Sequence, residues 1–120
     1  MVHFHHVNLG VPEGGIEAEA AFLVDFLGYR RIPLTPDDPP TANWFESADG
    51  KQVHLSADPD HQPAARAHVA VDLGDELALL VSKFDDAGYS YQPIRSPDNA
   101  TVFCRDPAGN LWELRGTGVR

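Results

Sequence analysis

The chain has 120 residues, of which 42% are hydrophobic, and its formal net charge is −9. This length fits one domain that buries roughly two-thirds of its unfolded surface, and it leaves no room for a second domain. The negative charge argues against nucleic acid and against an anionic membrane as partners, because like charges repel and no cluster of Lys or Arg interrupts the acidic character.

Signals for export and for membrane insertion are also missing from the sequence. The first ten residues show no basic segment followed by an apolar one, and no stretch approaches the roughly 18 apolar residues of a membrane span. Cys104 is the single cysteine, so an internal disulfide is excluded. We expect a cytoplasmic protein in which Cys104 is a small buried hydrophobe.

The first half of the chain predicts a strand, a helix and three more strands. Apolar residues alternate with others over 6–11, as in a strand with one buried face. Apolar residues then recur at helical spacing over 16–27, and Gly28 stands where a helix end favours a positive φ. Three short strands are predicted at about 29–34, 42–47 and 51–57, with a proline-rich loop at 33–40.

The second half predicts the same order of elements. A strand is expected at 68–73, a helix over 77–84 with Gly88 at its end, and strands at about 89–94, 100–105 and 110–115. The halves match at similar offsets, which loop-length changes shift slightly: 6–7 with 68–69, 28–29 with 88–89, and 50–55 with 109–114. We therefore predict one domain, 1–120, of two repeated modules: about 1–57, a linker at 58–66, and about 67–120.

The alternation of side chains in the predicted strands places four chemically active side chains opposite the apolar face of their own strand. Successive side chains of a strand point to opposite faces, so the apolar residues at 7, 9 and 11 leave His6 on the other face. The same alternation separates His54, His68 and Glu113 from the apolar neighbours in their own strands. If the helices cover the apolar faces, the remaining faces carry three imidazoles and one carboxylate at repeat-equivalent positions.

That combination predicts a metal site. Imidazole nitrogen and carboxylate oxygen suit divalent Zn, Fe, Mn, Ni or Co, and the absence of thiolate ligands argues against a structural zinc site. We predict His6, His68 and Glu113 as ligands, joined by His54 as a fourth ligand or as a residue that supports a ligand or contacts substrate. His5 replaces His6 if the strand register slips by one residue.

Five short segments, distributed along most of the chain, follow a recognisable pattern: 5–11, 26–29, 53–55, 67–71 and 103–114. With them the sequence resembles the vicinal oxygen chelate superfamily, the group of glyoxalases, bleomycin-resistance proteins and extradiol dioxygenases. The most specific segment is the last, in which a D-P-A-G-N turn leads into a strand carrying Glu113.

The resemblance implies an α+β fold of two tandem βαβββ modules, whose eight strands form a cupped mixed sheet with helices on the outer face and the metal inside the cup. It implies ligands from the first and last strands of each module, the positions of His6, His54, His68 and Glu113. It also implies a homodimer, in some members with the metal site shared between chains. Glyoxalase I enzymes usually have a carboxylate where this chain has His54, which weighs against glyoxalase I itself.

The favoured function is a divalent-metal-dependent enzyme that acts on a small oxygen-rich molecule. Lyase, isomerase or transferase chemistry ranks above dioxygenase chemistry, and Glu113 is predicted to be catalytic as well as a ligand. Candidate substrate contacts are Asn8, Gln52, Trp44, Phe103, Arg105 and Arg115, although both arginines also fit a solvated surface role.

The alternative function is that of a bleomycin-resistance-like protein, which binds a small molecule or antibiotic without a metal. Aromatic side chains would line its binding cleft. The candidates are Trp44, Phe45, Tyr89, Tyr91 and Phe103.

Overall fold

The computed structural model describes residues 1–95 and 100–117. The chain divides into two compact units, Met1–Gln62 and Pro63–Arg120, and the boundary falls inside the segment 58–66 that was predicted as a linker. Residues 96–99 and 118–120, which belong to the predicted second module, lie outside the described residues. No helix of the described chain is long and apolar enough to cross a membrane.

The first unit has the predicted order of elements. Its four strands form one mixed sheet in the order β1-β4-β3-β2, in which β1 and β4 are parallel and the other pairs are antiparallel. The elements are β1 (His6–Val11), α1 (Ile16–Ala21) continued by a π-helical turn (Phe22–Phe26), β2 (Arg30–Arg31), β3 (Trp44–Glu46) and β4 (Gln52–Ala57).

The end of the first helix differs from the sequence-based expectation. The backbone N–H of Leu27 donates to the carbonyl of Phe22 at 3.3 Å, a five-residue step that widens the last turn. Gly28 follows with a φ of 77°, as predicted. Phe22 and Leu23, at the start of this turn, both lie in the core, where they are 2% and 0% exposed. Regular helical spacing over 16–27 does not predict burial of Phe22.

The second unit repeats this arrangement. Its sheet has the order β5-β8-β7-β6, with β5 and β8 parallel and the other pairs antiparallel. The helix ends at Gly88, whose φ is 67°. The elements are β5 (His68–Asp72), a 3-10 turn (Gly74–Glu76), α2 (Leu77–Ala87), β6 (Gln92–Arg95), β7 (Ala100–Arg105) and β8 (Leu111–Gly116).

Strand register confirms the internal repeat. Asn8 pairs with His54 in the first unit, and Ala70 pairs with Glu113 in the second. The turns before β4 and β8 also correspond. The N–H of Gly50 donates to the carbonyl of Ser47 at 2.9 Å, as the N–H of Gly109 donates to that of Asp106 at 2.8 Å. The predicted α+β class with paired βαβββ modules is therefore confirmed.

Each sheet has one face that is buried and one that is polar. In the second unit Trp112 and Leu114 of β8 are fully buried and α2 packs against them, whereas Glu113 between them lies on the other face. In the first unit Val53 and Leu55 are buried and His54 lies on the other face. The parity that was predicted from alternation is thus the observed one.

Candidate functional site

His68 and Glu113 form a donor pair on the polar face of the second unit. They lie on the adjacent parallel strands β5 and β8, and His68 Nε2 is 3.2 Å from Glu113 Oε1. His68 Nδ1 lies 2.8 Å from the backbone carbonyl oxygen of Arg66. Since a carbonyl oxygen only accepts, Nδ1 carries the proton of this bond, and the lone pair of the neutral ring is on Nε2.

The spacing of this pair fits two ligands of one metal ion. Donor atoms that each lie about 2.1 Å from an ion are about 3.0 Å apart at a right angle and about 3.4 Å apart at a tetrahedral angle. The separation of 3.2 Å between His68 Nε2 and Glu113 Oε1 falls between these values. The donor chemistry fits as well, because neutral imidazole and carboxylate both bind first-row divalent metals.

Arg115 holds the second oxygen of Glu113. It lies two residues along β8, and its Nη1 donates to Glu113 Oε2 at 2.7 Å. This hydrogen bond, together with the charge of Arg115, lowers the pKa of Glu113 although partial burial opposes the shift, and a protonated His68 ring would lower that pKa further. The carboxyl group is therefore kept in the ionised form that a metal ligand requires.

His6 and His54 form the corresponding pair in the first unit. Their rings are stacked with centroids 3.9 Å apart and planes 15° apart, and Trp44 stacks on His54 at 5.3 Å. His54 Nε2 is 2.8 Å from Gln52 Oε1. Stacked rings have nearly parallel planes, so their lone pairs do not point at one atom between them. His54 is thus held by its neighbours, in a position that suits either a ligand or a supporting residue.

The ring environment keeps His54 neutral and engages one nitrogen of His6. Burial, followed by the charges of His6 and His5, lowers the pKa of His54. His6 Nδ1 is 2.8 Å from His5 Nδ1, so Nε2 is the nitrogen of His6 outside this contact. The strand β1 begins at His6, and its register with β4 places His6 rather than His5 on the polar face.

The structure thus brings the four predicted ligands together as two pairs, one in each unit. Across residues 1–95 and 100–117, no group of three or more His, Cys, Asp or Glu side chains is arranged to hold a metal ion. A four-residue ligand set therefore stays a prediction.

The predicted substrate contacts have partners within their own units. Ser56 Oγ donates to Asn8 Oδ1 at 3.0 Å on the polar face of the first unit. Arg105 donates to three backbone carbonyl oxygens, those of Ala64 at 2.8 Å, Gly109 at 3.0 Å and Ala65 at 3.1 Å. Its guanidinium therefore joins the segment before β5 to the turn before β8, which sequence alone did not reveal.

An open cleft of about 520 Å³ lies in the second unit beside β7. Of the predicted aromatic residues, Tyr89, Tyr91 and Phe103 line it, together with Gln92, Arg105 and Leu111. Phe103 also contacts the ring of His68 edge to face at 5.6 Å, so the cleft adjoins the donor pair. The prediction for Phe45 is wrong: it is 0% exposed, because its position in β3 faces the core. Trp44, on the opposite face, belongs to the first unit and stacks on His54.

Two features of the polar faces were not predicted. Glu46 of β3 carries a further carboxylate, which is ion-paired with Arg30. Its alternation with buried Phe45 in the strand was a signal that could have identified it. The carbonyl of Arg66, which orients His68, had no sequence signal, because every residue carries a carbonyl group.

The turn before β8 is built around a buried carboxylate. Asp106 is 4% exposed; its Oδ1 accepts the N–H groups of Ala108 at 3.0 Å and Asn110 at 2.9 Å. Its Oδ2 accepts the indole N–H of Trp112 at 2.9 Å. These bonds fix the start of the strand that carries Glu113. The motif was recognised from sequence, but this function of its aspartate was not.

Comparisons with known proteins agree with these observations. The family model described as the Glyoxalase/Bleomycin resistance protein/Dioxygenase superfamily matches residues 3–114. No curated protein matches the sequence. Among solved structures, a glyoxalase family protein from Bacillus anthracis is similar with a TM-score of 0.83 and 22% identity, over 98% of this chain and 97% of that chain.

Two further structures are similar at lower identity. A variant of the fosfomycin resistance protein FosX from Listeria monocytogenes, complexed with Mn(II) and 1S,2S-dihydroxypropylphosphonic acid, has a TM-score of 0.78 and 17% identity, over 99% of this chain and 95% of that chain. Lactoylglutathione lyase from Agrobacterium tumefaciens has a TM-score of 0.71 and 19% identity, over 97% and 94%. At such identities the likeness shows the fold. The family match over residues 3–114 establishes that the chain belongs to the glyoxalase/bleomycin resistance protein/dioxygenase superfamily.

Proposed function

We propose that this protein is a divalent-metal-dependent enzyme that acts on a small oxygen-rich molecule. The proposed ligands are His6, His54, His68 and Glu113, and the metal is one of Zn, Fe, Mn, Ni or Co. The observation that carries the proposal is the separation of 3.2 Å between His68 Nε2 and Glu113 Oε1, with the ring proton of His68 committed to a carbonyl.

Electrostatics supports the same assignment. The lowered pKa of Glu113 favours carboxylate, and the lowered pKa of His54 favours neutral imidazole. These are the protonation states in which the two groups bind metals. Glu113 and His54 would then bind a metal ion without first losing a proton at neutral pH.

A bound metal would act as a Lewis acid that stabilises negative charge on substrate oxygens. The protein's own residues would do the rest. Glu113 Oε1, the oxygen that Arg115 does not hold, would serve as a ligand and, when released from the ion, would accept a proton from the substrate. Asn8 and Gln52 on the first polar face, and Phe103 on the second, would orient the substrate. Trp44 would keep the ring of His54 in place.

Similarity to the FosX complex supports the metal and the substrate class. That protein was crystallised with Mn(II) and with a phosphonic acid that carries two adjacent hydroxyl groups. We propose chemistry of the lyase, isomerase or transferase type for this chain, with a dioxygenase reaction as the less favoured option. The cytoplasmic location and the homodimeric state stay predictions; sedimentation velocity at micromolar concentration tests the second.

Elemental analysis of protein purified without chelators tests the proposal. We expect close to one divalent metal ion per chain in the wild type and loss of most of it in His68→Ala. A matched control is His61→Ala, which removes a histidine outside the proposed ligands and should retain the metal. If the wild type, reconstituted with each of the five metals, binds none above the His68→Ala background, the proposal is wrong.

A second candidate function is metal-free binding of a small molecule. The cleft lined by Tyr89, Tyr91 and Phe103 favours it, because its volume of about 520 Å³ lies within the usual range for small-molecule sites. In that case a panel of aromatic antibiotics should include a ligand that binds equally well with and without EDTA. Binding that requires the metal would exclude this candidate.

A further inference from the structure

The two oxygens of Glu113 have different partners. Oε1 faces His68 Nε2 at 3.2 Å, and Oε2 accepts a hydrogen bond from Arg115 Nη1 at 2.7 Å. The Glu113 side chain is only 16% exposed, whereas that of Arg115 is 47% exposed. The more buried Glu113 carboxylate is thus held by the more exposed Arg115 side chain of the same strand.

Strand geometry brings the two side chains close together. Residues two apart on a strand lie on the same face, so Glu113 and Arg115 are neighbours regardless of loop conformation. A charge-assisted hydrogen bond of this kind is shorter and stronger than a neutral one. It therefore restricts rotation of the carboxylate and directs Oε1, rather than Oε2, towards His68.

The first unit contains a related arrangement. His54, the repeat equivalent of Glu113, is held by Gln52, which also lies two residues away on its own strand, with His54 Nε2 and Gln52 Oε1 2.8 Å apart. In both units, a predicted ligand of the last strand is thus restrained by a polar side chain on the same strand and face. The chemistry differs, since a carboxylate is paired with a cation and an imidazole with an amide.

We propose that Arg115 is a positioning residue, which makes Glu113 bind metal through Oε1 alone and so keeps one coordination position of the metal for a substrate oxygen. This inference rests on the proposed function, and it replaces the earlier expectation that Arg115 contacts substrate. A carboxylate that binds through one oxygen occupies one position, and a bidentate carboxylate occupies two. Removal of a residue that holds a metal ligand typically weakens metal binding by about 10- to 100-fold.

Titration of metal-free protein with Co²⁺ measures both parts of this proposal. Calorimetry gives the Kd, and the intensity of the visible absorption bands reports the coordination number. We expect Arg115→Ala to raise the Kd by about 10- to 100-fold and to lower the band intensity as Oε2 also binds. Arg115→Lys should recover most of the affinity, because an ammonium still donates one hydrogen bond. Lys83→Ala, which removes an exposed cation of α2, should change the Kd less than about twofold.

The outcomes separate this inference from the proposed function. If the wild type binds no Co²⁺, the proposed function fails. If the wild type binds Co²⁺ and Glu113→Ala abolishes binding, but Arg115→Ala has the wild-type Kd and spectrum, the positioning role alone is overturned. A circular dichroism spectrum of each variant checks the fold, and Arg115→Gln, which retains a donor but no charge, replaces Arg115→Ala if that variant does not fold.

Discussion

Removal of the Asp106 carboxylate tests how the turn before β8 is stabilised. In Asp106→Ala, the N–H groups of Ala108 and Asn110 and the indole N–H of Trp112 lose their acceptor. A hydrogen bond to a charged group contributes about 1.5–3 kcal/mol, and a buried donor left without a partner costs about 1–3 kcal/mol. The two amide donors lie in a partly buried turn that water can reach. We therefore expect Asp106→Ala to lower the free energy of unfolding by about 4 kcal/mol in total.

A double-mutant cycle in urea isolates the buried bond to the indole. Trp112 is 0% exposed, so its N–H has no access to water when the carboxylate is removed. Trp112→Phe removes this donor and retains an aromatic ring. We expect Asp106→Ala to lower the free energy of unfolding by about 1–3 kcal/mol less in the Trp112→Phe background than in the wild type.

The equivalent turn of the first unit supplies a matched control. Ser47 stands where Asp106 stands in the repeat, and its hydroxyl bonds to the exposed Asp49 and to the carbonyl of Lys51. Ser47→Ala should cost about 1 kcal/mol or less, since water replaces these bonds. Equal losses from Ser47→Ala and Asp106→Ala, or a coupling energy of zero between Asp106 and Trp112, would refute this reasoning.

Three further predictions concern stability and are measured by urea unfolding. Gly116→Ala should lower the free energy of unfolding by at least about 2 kcal/mol, because an added Cβ would lie 2.6 Å from Leu77 Cβ and against the carbonyl of Gly74. An unchanged free energy of unfolding would contradict this packing. Arg105→Ala should lower the free energy of unfolding by about 1–3 kcal/mol, because three hydrogen bonds to carbonyl oxygens are lost. Arg105→Lys should restore only part of that stability; full restoration would show that the charge alone matters. Burial raises the pKa of Cys104 from 9.0 to about 12. The neutral thiol therefore makes its full contribution to the free energy of unfolding below pH 9, and this contribution is lost as pH rises towards 12. Cys104→Ala should therefore show a shallower loss of stability over that range, and an unchanged slope would argue against the raised pKa.

Sequence alone was sufficient to place the candidate ligands on their strands and faces. The reason is that alternation has a period of two, so the burial of Trp112 and Leu114 requires Glu113 to face the other way. The repeat then supplied a check, because His54 and Glu113 occupy equivalent positions in two independent sheets. Neither inference needed knowledge of tertiary contacts.

Side-chain partners and local helix geometry were beyond the same reasoning. The π-helical turn at Phe22 depends on how the helix packs on its sheet, which no local spacing determines. The bonds of Arg105 to backbone carbonyls and of Arg115 to Glu113 depend on rotamers, and a charged residue on a strand face fits a solvated role equally well. The stacking of His54 between His6 and Trp44 depends in the same way on side-chain rotation.

The central claim, that His68 and Glu113 bind one metal ion, is tested most directly by anomalous diffraction from crystals grown with Mn²⁺. We predict one strong anomalous peak per chain at about 2.2 Å from both His68 Nε2 and Glu113 Oε1, with Glu113 Oε2 still bonded to Arg115. A well-ordered structure at saturating Mn²⁺ in which no peak lies within bonding distance of either residue would contradict the claim.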